Sequence, residues 1–211
     1  MSIKKVFIIN AGKKFLQAEG ILNQLITENS INFFSNINCD VRVTNLNKTY
    51  DPEIEVENYK WADLVIYQTP IWWFNIPFVL KQYFDVILSL GRTHNLAKGD
   101  GRSRKNPNIN YGTGGLLKGK PYIVTTTMNA PKSAFTNKNE FFDKTSIDNG
   151  ILYGFHKTHQ YLDMSHLASF HFYDVIKNPK IETEMEEYNH LLKNIVENKP
   201  ATNTGSRCTS L

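Results

Sequence analysis

The sequence predicts one α/β domain, a five-stranded parallel sheet with helices on both faces, and three observations predict it. Five short runs rich in β-branched and aromatic residues recur along the chain. Segments with apolar residues at helical spacing separate them. The two kinds alternate throughout, which requires crossover connections and so puts helices on both sides of a parallel sheet.

Taken in order, "KKVFIIN" is the first strand and ends in the loop "AGKK". Residues 20 to 36 carry Leu22, Leu25, Ile26 and Phe33 on a helical period. "DVRVTNL" (40 to 46) alternates as a second strand, "DPEIEVENYKWA" (51 to 62) makes a short acidic helix, and "DLVIYQT" (63 to 69) is a third strand. A helix from about Ile76 to Leu90 follows, with Asn75 as its cap and Pro77 in its first turn. Residues 91 to 119 are a long Gly-, Asn- and Lys-rich connection, of a length usually functional or mobile. "PYIVTTT" (121 to 127) is the fourth strand. Helices near Asn139 to Thr145 and Phe155 to Leu162 precede a fifth strand, "LASFHFYDV" (167 to 175). The last helix shows Ile181, Met185, Tyr188, Leu192 and Ile195 on one face. No repeat or interior linker appears, so residues 1–198 read as one domain and 199–211 as a disordered tail.

Composition excludes several classes. Hydrophobic residues make up 41% of the 211 and charged residues 21%, an ordinary globular balance. The net charge of +4, with no dense basic block, gives no nucleic-acid footprint. The start "MSIKKVFIIN" lacks the pattern of a signal peptide, and no run approaches the ~20 apolar residues of a membrane span. Cys39 and Cys208 are too few for a disulfide framework or a zinc site, so a cytoplasmic, reduced setting is expected. The terminal "CTSL" is formally a prenylation box, but Thr209 and Ser210 replace its aliphatic pair.

Five strands suit the flavodoxin-like order 2-1-3-4-5, whose topological switch point lies between the first and third strands. Loops after strands one (11 to 20), three (70 to 75) and four (128 to 135) should then converge on one crevice outside the carboxyl ends. The first loop offers a helix N-terminus near Gly20 with Lys13 and Lys14, either an anion site or lysines on a solvated turn. The loop "PIWWFNIP" places Trp72 and Trp73 side by side; one can pack inward while its neighbour lines the crevice. "TTMNAPKSAF" brings Asn129, Ala130 and Pro131, which suit close approach by a planar ring or form an ordinary turn. Tyr111 stacks on a ligand or anchors the long connection.

The segments "GKKF", "YQTPIWWFNIPFVLKQYFD", "DGRSRKNPNINYGTGGLLKGK", "NAPKSAFT" and "GFHKTHQYLDM" resemble, in order from about residue 4 to residue 195, the modulator of drug activity B proteins. These belong to the flavodoxin-like NAD(P)H:quinone oxidoreductases. The resemblance implies a homodimer that binds FAD, with FMN as the alternative flavin, takes hydride from NAD(P)H and passes two electrons to a quinone by ping-pong turnover. By position it implies flavin contacts from Ala18, Gly20, Leu22, Asn23 and Leu25, from Pro70, Ile71, Trp72 and Trp73, from Tyr111, and from Thr127, Met128, Asn129 and Ala130. The family's usual S-N-G is Ala18-Glu19-Gly20 here, and two usual glycines are Ile71 and Asn75.

Hydride transfer is the flavin's own chemistry, so no nucleophilic side chain is required, and no Ser-His-Asp or Cys-His arrangement is found. Asn129 and the fourth-loop amides are the candidates for stabilising negative charge on the ring. His156 and His159 form an H-x-x-H, but with no acidic partner nearby in sequence no metal site is read there, and both they and His171 read as structural. Competing functions are an azo- or nitro-reductase on the same fold, a flavodoxin-like electron carrier, and a binding module without flavin. Carriers are usually strongly acidic with a Ser/Thr-rich phosphate loop, and neither holds here.

Overall fold

The computed structural model describes residues 3–16 and 18–197. The expected tail from 199 lies outside the described residues, as does Cys208. Eleven elements run in the order β1 (Lys5–Asn10), α1 (Ile21–Asn36), β2 (Asp40–Asn45), α2 (Pro52–Trp61), β3 (Leu64–Pro70), α3 (Phe78–Thr93), β4 (Lys120–Thr127), α4 (Ser133–Thr136), α5 (Tyr153–Tyr161), β5 (Met164–Phe172) and α6 (Ile181–Val196). All strand pairings are parallel, and the sheet order is β2-β1-β3-β4-β5, as the sequence predicts.

Two apolar layers hold the sheet. On one face Phe7, Val65, Tyr67, Tyr122 and Val124 pack beneath α2, α3 and α5, through Tyr59, Tyr83, Phe84 and Phe155. On the other, Val6, Ile8, Ile66 and Ile123 meet Ile26 and Phe34 of α1 and Tyr188 and Leu192 of α6. Central strands covered on both sides explain why β3 is buried along its whole length. The second layer also carries a polar node: the Gln68 side-chain amide donates to the Tyr188 hydroxyl (3.0 Å) and to Ser30 (3.2 Å).

Local signals set the helix ends. Asp51 caps α2 by accepting from the Glu53 amide at 2.9 Å, Pro52 opens the helix, and Lys120 Nζ donates to the terminal carbonyls of Lys60 (2.9 Å) and Ala62. Four expectations need correction. First, α3 begins at Phe78 after an extended Pro77. Asn75 does not cap it, because its backbone closes a turn with Trp72 while its side-chain oxygen accepts from the Ile76 amide. Second, residues 139 to 145 form turns rather than a helix. Asn139, Asp143 and Lys144 take positive φ, and Phe142 is held outside helical geometry by stacking on Phe135 at 4.2 Å. The helix of this segment is the four-residue α4 instead. Third, β5 starts at Met164 and stops at Phe172, because Asp174 and Val175 turn back to the carbonyls of Ala130 and Met128. Fourth, α3 runs on to Thr93, so the long connection begins only after it; that connection is irregular but folded on itself, Ala97 pairing with Gly115 and the Gly112 amide donating to the Asp100 carbonyl at 2.7 Å.

One irregularity in β5 bears on chemistry. The register against β4 slips between Tyr122 and Ile123, so Tyr122 faces His166 but Ile123 faces Ala168. A bulged residue resets the in-out alternation. Met164, His166, Ser169, His171 and Tyr173 all line one cavity on the α5 side, while Phe170 and Phe172 point into the opposite layer.

Candidate active site

The loops after β1, β3 and β4 meet at the switch point. The buried Asn23 side-chain amide, in the first turn of α1, donates to the Thr127 hydroxyl at 3.0 Å. The Ile71 amide donates to the Thr127 carbonyl at 2.9 Å. Phe15 of the first loop stacks on Trp72 of the third (ring centroids 5.5 Å) and meets Phe78 edge-on at 5.3 Å. Three chain segments far apart in sequence therefore share one wall.

The tandem tryptophans divide their work. Trp72 is half-buried and pairs with Asn75 through two backbone hydrogen bonds of 2.9 and 3.1 Å. Trp73 and Phe74 form the tip between them, at φ 47° and 60°. Two positive φ values in a two-residue hairpin are the type I′ turn, which ordinarily calls for Asn-Gly. Bulky residues there cost about 1–3 kcal/mol each. Phe74 regains packing against Phe141 (5.3 Å, stacked) and Phe142, whereas Trp73 is 93% exposed. Ile71 and Asn75, which replace usual glycines, lie outside the left-handed region, so the loop has no need of glycine there.

At the first loop the left-handed backbone of Gly20 (φ 72°) starts α1, and a Cβ on it would press on the Gly12 carbonyl oxygen at 3.1 Å. Among the described residues no side chain caps this helix and no acid lies in its first turn. The carboxylate of Glu19, the departure just before it, is paired with Lys14 at 2.9 Å. A helix start left open, with the nearest carboxylate already countered, fits a phosphate group. The flat Phe15–Trp72 wall beside it fits an aromatic ring, so the residues present suit a flavin.

The remaining expected contacts distribute as follows. Pro70, Thr127 and Met128 are buried, Ala18, Leu22 and Ala130 half-buried, and Asn129 exposed, all in or beside the three loops. Leu25 faces solvent from the second turn of α1. Tyr111 is not brought to this crevice. It leans on Tyr161 (6.0 Å) and Arg102 (5.4 Å) and lines a separate 440 Å³ cavity with Ser89 and Arg92. Those residues sit about 20 Å along α3 from Phe78, at 1.5 Å per residue.

Sequence reasoning missed the larger cavity, about 1120 Å³, between α5, β5 and the loop from Lys132 to Asn149. Its floor is a polar network centred on Asp148. His156 Nε2 lies 2.9 Å from Asp148 Oδ1, and the Ser169 hydroxyl donates to that oxygen at 2.6 Å. His166 Nε2 meets the Ser169 oxygen at 2.8 Å, His156 Nδ1 meets the Tyr122 hydroxyl at 2.6 Å, and His171 Nε2 stands 3.9 Å from Asp148 Oδ2. Burial opposes charge on Asp148, but His156, His171 and Ser169 hold its carboxyl well below the usual range. The acidic partner thought missing for His156 is thus present, eight residues upstream. His159 is a core residue: burial lowers it to about 3, and its Nδ1–H donates to the Phe155 carbonyl at 2.7 Å.

Comparison with known proteins agrees with this architecture. The family described by a flavodoxin-like fold matches residues 4–194. The NADPH:quinone oxidoreductase MdaB of Haemophilus influenzae is 36% identical over 190 residues, covering 89% of this chain and 97% of that protein. A Klebsiella pneumoniae structure, provisionally described as a quinone reductase, superposes with a TM-score of 0.72 at 19% identity, over 94% of this chain and 87% of that one. General stress protein 14 of Treponema denticola, solved in complex with FMN, gives 0.60 at 19% identity, over 91% and 99%. At such identities the structural likeness is one of fold.

Proposed function

The chain belongs to the flavodoxin-like fold family, and from that premise we propose that it is a flavin-dependent NAD(P)H:quinone oxidoreductase, with FAD as its flavin and a homodimer as its working form. One observation carries the reading: Asn23, Thr127 and Ile71 tie three loops into a single crevice, with an uncapped helix start at one end and the Phe15–Trp72 wall beside it. A relative matched over 97% of its length is named for that reaction.

A flavin in this crevice would supply two-electron transfer between nicotinamide and quinone, the two taking turns at one ring face. The chain's part is placement and electrostatics. The amides at the start of α1, with Lys13 and Lys14 close by, hold the phosphate end. Trp72, braced by Phe15 and Phe78, fixes the plane in which a flat group lies. Asn129 and the amides of the loop after β4 face charge that develops on the ring. The exposed Leu16, Trp73 and Phe78, next to Phe15 and Trp72, form the apolar surface a second copy would cover.

The test is the absorbance spectrum of the purified protein, followed by reconstitution with FAD or FMN and an NAD(P)H–quinone assay. Bound flavin with turnover is expected, FAD retained more tightly than FMN. Neither flavin bound and no turnover defeats the enzyme reading, while turnover only with azo or nitro acceptors reassigns the substrate. Trp72→Ala should weaken flavin retention at least about tenfold, the scale of one lost aromatic contact with its buried area. Unaltered retention removes Trp72 from the site. Light scattering decides the dimer.

A further inference from the structure

We propose that Asp148, His156 and His166 form a binding site for a divalent first-row metal ion of the zinc type, open to the large cavity. One ligand atom from each lies within 4.8 Å of the other two. Two imidazoles and one carboxylate, from a loop, a helix and a strand, are the ligand set of open metal sites, in which an exogenous group takes the remaining position.

Three features of the surroundings argue for a built site. His156 has its outer nitrogen fixed by the Tyr122 hydroxyl, the support that orients ligating histidines. In the present arrangement Nε2 carries the proton, because the carboxylate opposite can only accept. Ligation through Nε2 moves that proton to Nδ1, where the Tyr122 oxygen accepts it. The carboxylate is likewise held on both sides, Oδ1 by Ser169 and Oδ2 facing His171. Finally, the β5 bulge turns His166, Ser169 and His171 onto one face, and bulges commonly re-aim side chains at functional sites.

Tetrahedral ligands at 2.0–2.1 Å from zinc stand about 3.3 Å apart. The widest pair here must therefore close by roughly 1.5 Å. His166 lies exposed on the edge strand beside the bulge, and its ring makes that movement by giving up its bond to Ser169 and sliding on Tyr122. Binding displaces the Ser169 hydroxyl from its place between His166 and Asp148 or recruits it as a fourth ligand. Lys132, Lys144 and Lys157 line the same cavity, so the exogenous ligand they favour is an anion.

The test uses the full-length protein, treated with chelator and titrated with ZnCl2 by calorimetry, with bound metal measured after gel filtration. One zinc per chain is expected, with affinity reduced at least about tenfold in His166→Gln and in Asp148→Asn. Cobalt substitution should give ligand-field bands on the long-wavelength side of flavin absorption, lost in both variants. His166 is exposed, so its replacement leaves the fold intact, as a thermal melt will verify. No zinc retained by the unaltered chain, or affinity unchanged in either variant, overturns the proposal.

Discussion

The switch-point crevice and the histidine cavity lie on one molecule and are built on opposite principles. In the crevice most contacts come from backbone and apolar surface: an open helix start, a strained two-residue turn, and rings stacked face to face. In the cavity they come from side chains, with Asp148 at the centre of three polar neighbours. A site made of backbone tolerates substitution, so Ala18, Glu19 and Ile71 can depart from the family pattern without dismantling it. A site made of side chains belongs to the individual sequence.

Three substitutions bear on this contrast. Gly12→Ala strikes the crevice through its backbone. A Cβ there would stand 2.3 Å from Asn23 Cβ, close to the residue that binds Thr127. Overpacking of this kind costs about 3 kcal/mol, and denaturant unfolding should show it together with weaker flavin retention. A stability change under about 1 kcal/mol would mean that the loops meet more loosely than described.

His159→Leu probes by acid the core packed beside the cavity. The folded state holds this imidazole neutral down to about 3, whereas the unfolded chain protonates near 6.5. Its contribution is complete above 6.5 and is lost as pH falls toward 3, with a slope of about 1.4 kcal/mol per pH unit. Unfolding free energy measured across that window should fall less steeply in the variant. An unchanged slope assigns the acid sensitivity to another group. The crevice contact between Asn23 and Thr127 does not titrate, so it adds nothing to this slope.

Trp73→Gly is the smallest effect and has the opposite sign. Glycine takes φ 47° without strain, so the melting temperature should rise by the equivalent of about 1 kcal/mol. If Trp73 faces a partner or a substrate, turnover or dimer affinity will fall at the same time. A rise in stability with both unchanged would reduce its exposed indole to ornament.

The sheet was largely legible because buried parallel strands leave continuous apolar runs, and "VFII", "LVIY" and "YIVTTT" are such runs. The convergence of Asn23, Ile71 and Thr127 followed from strand order alone. Residues 139 to 145 misled because Phe141 and Phe142 imitate a helical face, while their partners, Phe74 and Phe135, are distant or earlier in the chain. The cavity was illegible for a related reason. His156 and His159 look like a pair by spacing, yet one turns to Asp148 and the other into the core. His166 and His171 are an odd number apart, which in a regular strand means opposite faces.

That odd interval makes the extra residue at Leu167 the hinge on which the two faces of β5 turn. Were the strand to straighten at its full length, alternation counted from His166 would carry Ser169 and His171 into the greasy layer against α6 and bring Phe170 and Phe172 into the cavity. Deleting Leu167 would instead remove the bulge and leave the faces as they are, because Ser169 and His171 would then stand at even distances from His166. In homologous chains, a shorter strand with even histidine spacing and a longer one with a bulge can therefore build the same cavity wall.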